Sequence, residues 1–104
     1  MQTTTVPTIA ETIAAQLGGT HRLRAMIGAH GFMGSDRTLT FRFTARALSG
    51  INAVVVELSA DDTYRVAFYA VRGPSRRLVS EATGVYADGL RETIEHATGL
   101  YLSL

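Results

Sequence analysis

The first regular pattern in the chain is a set of apolar side chains at helical spacing, namely Ile9, Ile13 and Leu17. Thr8 and Glu11 stand three residues apart at the start of this run. That spacing favours a capping box, in which each side chain binds the backbone N–H group of the other residue. The pair Gly18-Gly19 supplies a stop, because glycine adopts the left-handed conformation at a helix end at little cost. We therefore predict a helix over residues 8–17, preceded by a flexible threonine-rich lead-in over residues 1–7.

Farther along, apolar and polar residues alternate with the period of a β-strand. The alternation is clearest from Leu39 to Arg46, where one face is apolar and the other is polar. A glycine-rich connection over residues 28–36 precedes this strand, and short turns separate the strands that follow. Short turns place consecutive strands antiparallel, so the pattern predicts a meander. The predicted strands span residues 24–28, 39–46, 51–58, 64–72 and 77–85.

A second helix is predicted over residues 87–98, where Leu90 and Ile94 share a face and Gly99 ends the element. An apolar tail over residues 100–104 follows, and we expect it to dock against the protein. The whole pattern predicts one α+β domain over residues 1–104. It consists of an N-terminal helix, an antiparallel meander of four to five strands and a C-terminal helix, with the helices on one face of the sheet.

The middle of the predicted sheet carries apolar side chains on both faces. In the third predicted strand, Ala53 and Val55 point away from Val54 and Val56, yet all four are apolar. Strands of this kind are usually covered on both sides, and two helices can cover only one. Either the tail or another chain must cover the second face. Because an exposed apolar patch rimmed by Arg marks an interaction site, we expect a homodimer.

Composition narrows the possible functions. The chain has 104 residues and no cysteine, which excludes disulfides, thiolate catalysis and Cys-ligated zinc. The net charge is +1, so the overall charge does not favour nucleic acid or a membrane surface, and every cationic side chain is Arg. No apolar run approaches the roughly 20 residues of a membrane span, and the first residues do not resemble a signal peptide. We expect a cytoplasmic protein with no membrane partner.

Few residues suggest catalysis or ligand binding. Residues 28–31 and 31–34 both match G-x-x-G, the loop with which some RNA-binding domains grip a nucleic-acid backbone, but a flexible hairpin loop is the favoured interpretation. His30, Ser35 and Asp36 could form an acid–base set, although nothing in the sequence fixes their geometry. The three histidines are too dispersed to indicate a metal site. We therefore expect neither an enzyme nor a cofactor.

Seven stretches of the sequence carry a resemblance to a known family. They are residues 15–19, 26–34, 39–43, 50–54, 64–68, 84–88 and 98–101. In this order they resemble a family of small uncharacterised proteins encoded by bacteriophages, prophages and plasmids. The Gly-Phe-x-Gly and Thr-Gly-Leu-Tyr elements are the most distinctive, whereas the absence of Lys departs from many relatives. The resemblance implies a mobile element in a bacterial cell, but no mechanism and no catalytic residues.

Two functional hypotheses follow. The first is an accessory protein of a phage or mobile element that binds a host or phage protein in the host cytoplasm, in the manner of inhibitors of host defence such as anti-CRISPR proteins. Its expected partner-binding residues are Phe32 and Met33 at the tip of the glycine-rich loop, with Arg42, Arg46 and Tyr69 on the sheet. The alternative is nucleic-acid binding by an Arg-bearing sheet face and the glycine-rich loop. Its residues would be Arg42, Arg46, Arg65, Tyr69, Gly31 and Gly34.

Overall fold

The computed structural model describes residues 8–102, so the predicted lead-in over residues 1–7 and the last part of the tail, residues 103–104, lie outside the described residues. Its helices are α1 (Ile9–Gln16), α2 (Thr20–Ile27) and α3 (Leu90–Thr98), and its strands are β1 (His30–Gly34), β2 (Thr38–Arg42), β3 (Ala53–Leu58), β4 (Tyr64–Arg72) and β5 (Ser75–Val85). The strands form one five-stranded antiparallel sheet in chain order, from β1 to β5. The predicted α+β class and the meander are confirmed.

The start of α1 follows from its local sequence. The Glu11 backbone N–H donates to the Thr8 Oγ1 atom at 3.1 Å, and the Thr8 backbone N–H donates to Glu11 Oε1 at 2.8 Å. Both hydrogen bonds of the predicted capping box are therefore present. They satisfy two backbone donors that the first helical turn leaves without a partner.

The predicted strand over residues 24–28 is wrong, because this segment belongs to α2. Leu23 and Ile27 are four residues apart and both are buried on the inner face of that helix. The helix ends at Gly28, whose φ of 69° lies in the left-handed region, and the Gly28 N–H donates to the Arg24 carbonyl. Packing of Leu23 and Ile27 in the core therefore stabilises a helix where the short segment alone suggested a strand.

The predicted glycine-rich loop over residues 28–36 is also wrong, because its middle forms β1. This strand pairs with β2 and contains a register shift between His30 and Met33. Gly31 lies within the shift and has a φ of 66°, a conformation that glycine adopts without a Cβ clash. The turn that joins β1 to β2 is closed by the Ser35 N–H, which donates to the Thr38 carbonyl at 3.0 Å.

The strand predicted over residues 39–46 ends earlier, at Arg42. Beyond that point, the backbone N–H groups of Thr44 and Ala45 donate to the Ile27 carbonyl at the end of α2, at 3.3 and 3.1 Å. The chain thus leaves the sheet to meet the helix. Phe43 still buries its ring in the core, which explains why the apolar alternation extends past the strand.

All three helices pack on one face of the sheet. Each contributes fully buried side chains to a single core, and so do alternate residues of the inner strands. The tail joins the same core, since Leu102 is completely buried and its N–H donates to Glu95 Oε2 at 2.8 Å. The described part of the tail therefore packs on the helix side of the sheet and not on the opposite face. None of the helices described between residues 8 and 102 has the length and apolarity needed to cross a bilayer.

Candidate functional site on the open face of the sheet

We use the name open face for the side of the sheet opposite the helices. Strand register aligns its side chains in rows, because directly opposed residues of antiparallel strands point to the same side. The first central row consists of Met33, Thr40, Val55, Ala67 and Glu81. The second central row consists of His30, Arg42, Ala53, Tyr69 and Leu78. Among residues 8–102, the hydrophobic core lies on the other side, between the sheet and the helices.

The centre of the open face is apolar. Ala53 and Ala67 are 6 % and 0 % exposed, although neither belongs to the helix-side core. Larger neighbours in the two rows enclose these small side chains, chiefly the half-buried Val55 and Tyr69. At the edges of the sheet, Leu78 is 47 % exposed. The face thus alternates small buried residues with larger residues that protrude.

Met33 completes this surface on the opposite edge strand, where it is 69 % exposed. We call Met33, Val55, Tyr69, Val71 and Leu78 the apolar strip. Near its centre lies a shallow depression of about 190 Å³. The strip has members on every strand except β2, where Thr40 separates Met33 from Val55, so its uninterrupted part lies on β3, β4 and β5.

One end of the open face carries an ion network. The Arg65 guanidinium lies between two carboxylates, with Nε 2.6 Å from Glu81 Oε2 and Nη1 3.7 Å from Glu57 Oε1. These three side chains sit on three adjacent strands, and cross-strand register brings them together. We call this group the acidic end, because two carboxylates face one guanidinium.

The other end of the open face carries Arg42 and Arg76, and we call it the Arg end. The Arg76 guanidinium carbon lies 4.9 Å from the centroid of the Tyr69 ring, a cation–π contact. Both Arg side chains also border the depression in the apolar strip. The two ends therefore have opposite charge, with apolar surface between them.

Asn52 holds the backbone at the Arg end in place. Its side-chain Nδ2 donates to the Val71 carbonyl at 3.0 Å, and the Val71 N–H donates to its Oδ1 at 2.8 Å. The side-chain amide thus replaces a peptide unit and extends the pairing of β3 with β4. Val71 in turn pairs with Arg76 across the next pair of strands, so Asn52 supports the position of a charged residue on the face.

The predicted partner-binding residues are distributed differently from the expectation. Phe32 and Met33 do not share a loop tip, because they are neighbours in β1 and point to opposite faces. The Phe32 ring packs on the helix side, 5.5 Å from the Phe41 ring centroid and 5.4 Å from the Arg24 guanidinium carbon. Only Met33 of the pair therefore reaches the open face.

The predicted placement of Arg46 on the sheet is likewise wrong. Arg46 lies beyond the end of β2, in the segment that turns toward α2, whereas Arg42 is the last residue of the strand. Tyr69 does lie on the open face, but Arg76 already stacks on its ring. The structure therefore brings together three of the predicted binding residues: Met33, Arg42 and Tyr69.

Several residues of the open face were not among the predicted binding residues. Arg76 lies one residue before the last predicted strand, and Leu78 lies near the start of that strand. Val79 introduces a register shift in β5, so simple alternation assigns the wrong face to residues on one side of it. Glu57 and Val55 alternate regularly with buried valines, and that signal could have identified them.

The residues predicted for nucleic-acid binding do not come together as expected. Arg65 is engaged by two carboxylates, which would repel a phosphate placed beside it. Gly31 provides the backbone conformation of a strand irregularity, and a Cβ atom at Gly34 would lie 2.7 Å from the Ala10 Cβ atom. The glycines thus serve close packing and strand geometry rather than an open loop that grips a backbone.

The residues of the enzyme alternative do not converge on one another. His30 lies on β1, while Ser35 and Asp36 lie in the following turn, and all three are exposed. The Ser35 hydroxyl forms a hydrogen bond with the Thr38 hydroxyl, so it has a local partner. Over residues 8–102, no group of three or more His, Asp or Glu side chains is placed to hold a metal ion.

A separate groove of about 530 Å³ lies between α3 and β5. Glu92 and His96 stand one helical turn apart on its rim, and Glu81 contributes to the opposite side. His96 and Glu92 are exposed, and Glu81 is held by Arg65 on the open face. The groove therefore offers solvated charges rather than a preorganised set of catalytic groups.

Comparison with known proteins adds no relative to these observations. No family model matches the chain, and no curated protein or solved structure matches it.

Proposed function

We propose that this protein is a non-enzymatic accessory protein of a bacteriophage or other mobile element, and that it acts by binding a protein through its open face. One observation carries the proposal: an apolar strip bordered by Arg side chains has no cover among residues 8–102. Apolar surface combined with aromatic and Arg side chains is typical of protein interfaces. The setting in a mobile element, and the host cytoplasm as the location, rest on the family resemblance.

A protein is favoured over a nucleic acid as the partner for electrostatic reasons. The open face carries Glu57 and Glu81 in addition to its guanidinium groups, and Arg65 is already paired. The phosphate backbone of a nucleic acid lying along the open face would have to pass over these carboxylates, which repel it. A protein surface can instead match both signs of charge and bury the apolar strip. Inhibition of a host defence protein is one activity that such binding would provide.

Two Leu→Glu variants offer a matched test. Leu78→Glu places a carboxylate in the apolar strip, whereas Leu48→Glu makes the same change at a residue that is 57 % exposed and lies away from the open face. Tagged wild-type and variant proteins would be used to capture partners, with and without nuclease, from a lysate of bacteria that also produce the untagged chain. Captured proteins would be identified by mass spectrometry.

We expect the wild type and Leu48→Glu to retain the same protein partner, and Leu78→Glu to lose it. Nuclease treatment should leave the capture unchanged, and binding should not fall steeply with salt as phosphate contacts do. Equal capture by both variants would refute the role of the open face. Loss of the partner on nuclease treatment would indicate nucleic-acid binding instead.

A further inference from the structure

We propose that the protein partner of the open face is a second copy of this chain, packed face to face around a two-fold axis. This inference rests on the proposed function, because it names the occupant of the same surface. Two features of the open face carry it: its charges and the sizes of its central side chains. Both are complementary to themselves under one symmetry operation.

In this arrangement the two copies stack with their sheets face to face. The two-fold axis lies between the sheets, is perpendicular to the strands and passes midway between the two central rows. Such an axis keeps each strand opposite its own copy and reverses the strand direction. The first central row of one copy then faces the second central row of its partner. Aligned packing of two sheets, about 10 Å apart, is a common arrangement in β-sandwiches.

Side-chain sizes match at the centre of the face under this axis, whereas at the β5 edge Leu78 faces the partner's Glu81. Tyr69 of one copy faces the partner's Ala67, and Val55 faces the partner's Ala53. Ala53 and Ala67 are the small positions of the face, and each is flanked by larger residues that protrude. Large side chains opposite small ones let two layers interdigitate without voids. Val55 and Tyr69 would thus complete their burial against the other copy.

Charges match as well, because the same axis places the Arg end of each copy over the acidic end of the other. Counted in strand and residue spacings, Arg42 is displaced by about 8 Å in the plane from the partner's Glu57, and Arg76 by about 7 Å from the partner's Glu81. These offsets are within the combined reach of Arg and Glu side chains. Arg76 also comes within about 5 Å in the plane of the partner's Arg65, whose charge is balanced by its two carboxylates. A two-fold axis along the strands would instead place like charges opposite each other, which disfavours that arrangement.

The area of the open face sets the expected strength. Five strands at about 4.8 Å and four rows at about 6.8 Å give a footprint of roughly 25 by 20 Å. The dimer would therefore bury about 1,000 Å² in total, at the lower limit for a specific interface. We expect a dimer that dissociates in the micromolar range rather than an obligate one.

A charge exchange tests the pairing directly. Arg42→Glu should raise the dimer dissociation constant at least about tenfold, because it places two carboxylates near each other twice in the dimer. Glu57→Arg should do the same. The double variant Arg42→Glu/Glu57→Arg should restore most of the affinity, since the pair is then reversed. Arg46→Glu is the matched control, because it makes the same charge change outside the sheet.

Sedimentation equilibrium of the complete chain over a concentration series would measure these constants, with circular dichroism to verify that each variant is folded. A wild type that stays monomeric up to millimolar concentration would overturn the inference. So would a dimer whose affinity is unchanged by Arg42→Glu, or single variants that weaken it without rescue in the double variant. If the wild type is monomeric but Leu78→Glu still abolishes capture of a different protein, the second copy is refuted while the proposed function stands.

Discussion

Replacement of Asn52 tests whether a side-chain amide substitutes for a peptide unit in the sheet. Asn52→Ala removes both hydrogen bonds to Val71 and leaves a backbone N–H and C=O without their partners. Each such bond contributes about 1 kcal/mol net, and leaving partly buried backbone groups without a partner adds a desolvation cost. We therefore expect the free energy of unfolding to fall by about 2 kcal/mol. For a domain of this size the midpoint temperature should fall by about 10 °C.

The isosteric variant Asn52→Asp separates hydrogen bonding from shape. It keeps an acceptor for the Val71 N–H but replaces the Nδ2 donor with an oxygen that faces the Val71 carbonyl. We expect Asn52→Asp to be at least as unstable as Asn52→Ala, because two acceptors then oppose each other. Urea unfolding should show a lower midpoint with an unchanged slope for both variants.

Hydrogen exchange provides a local measurement of the same effect. The Val71 amide is bonded to Asn52 Oδ1, so its exchange should accelerate in Asn52→Ala more than that of amides in the centre of β3 and β4. If Asn52→Asp is as stable as the wild type and the Val71 amide stays protected in Asn52→Ala, the amide bridge does not support the sheet.

Two further predictions concern local structure. Gly28→Ala should destabilise the protein by at least about 2 kcal/mol more than Gly31→Ala, because both glycines have positive φ but only a Cβ at Gly28 would overlap the Thr44 side chain. Equal losses in thermal unfolding would contradict the clash. The Thr63 hydroxyl and N–H donate to the Asp61 carboxylate and lower its pKa below the ordinary value of 3.8. The stabilisation that these hydrogen bonds give the folded protein is present above the unfolded pKa of Asp61 and is lost as pH falls through the folded pKa. Because Thr63→Val removes the hydroxyl donor, it should raise the Asp61 pKa toward 3.8 in an NMR titration. An unchanged pKa would exclude the hydroxyl as the main cause of the lowered value.

Elements governed by neighbouring residues were predictable from the sequence. The capping box of α1 joins residues only three apart, and both of its hydrogen bonds are present. The bounds of β4 were also predicted correctly, since residues 64–72 form a long run between two clear turns. In such segments the local preference and the tertiary structure agree, so the pattern is sufficient.

Elements that depend on distant partners were not predictable in the same way. The eight-residue helix α2 is too short to be stable alone and exists because Leu23 and Ile27 pack into the core. The glycine-rich strand β1 has a weak intrinsic β preference, and its pairing with β2 provides the hydrogen bonds that hold it extended. In both cases the stabilising contacts come from residues elsewhere in the chain.

The candidate site shows the same division. Alternation along β3 already indicated that both sides of the sheet are apolar, because a period of two assigns every residue to one of two faces. Periodicity does not reveal which face the helices cover, which side the tail occupies or where a register shift exchanges the faces. Those outcomes depend on contacts such as the burial of Leu102 in the helix-side core and the pairing of Arg65 with carboxylates on two other strands. The apolar character of the open face is therefore a property of local sequence, whereas its exposure and its charged ends arise only when strands distant in sequence are brought side by side.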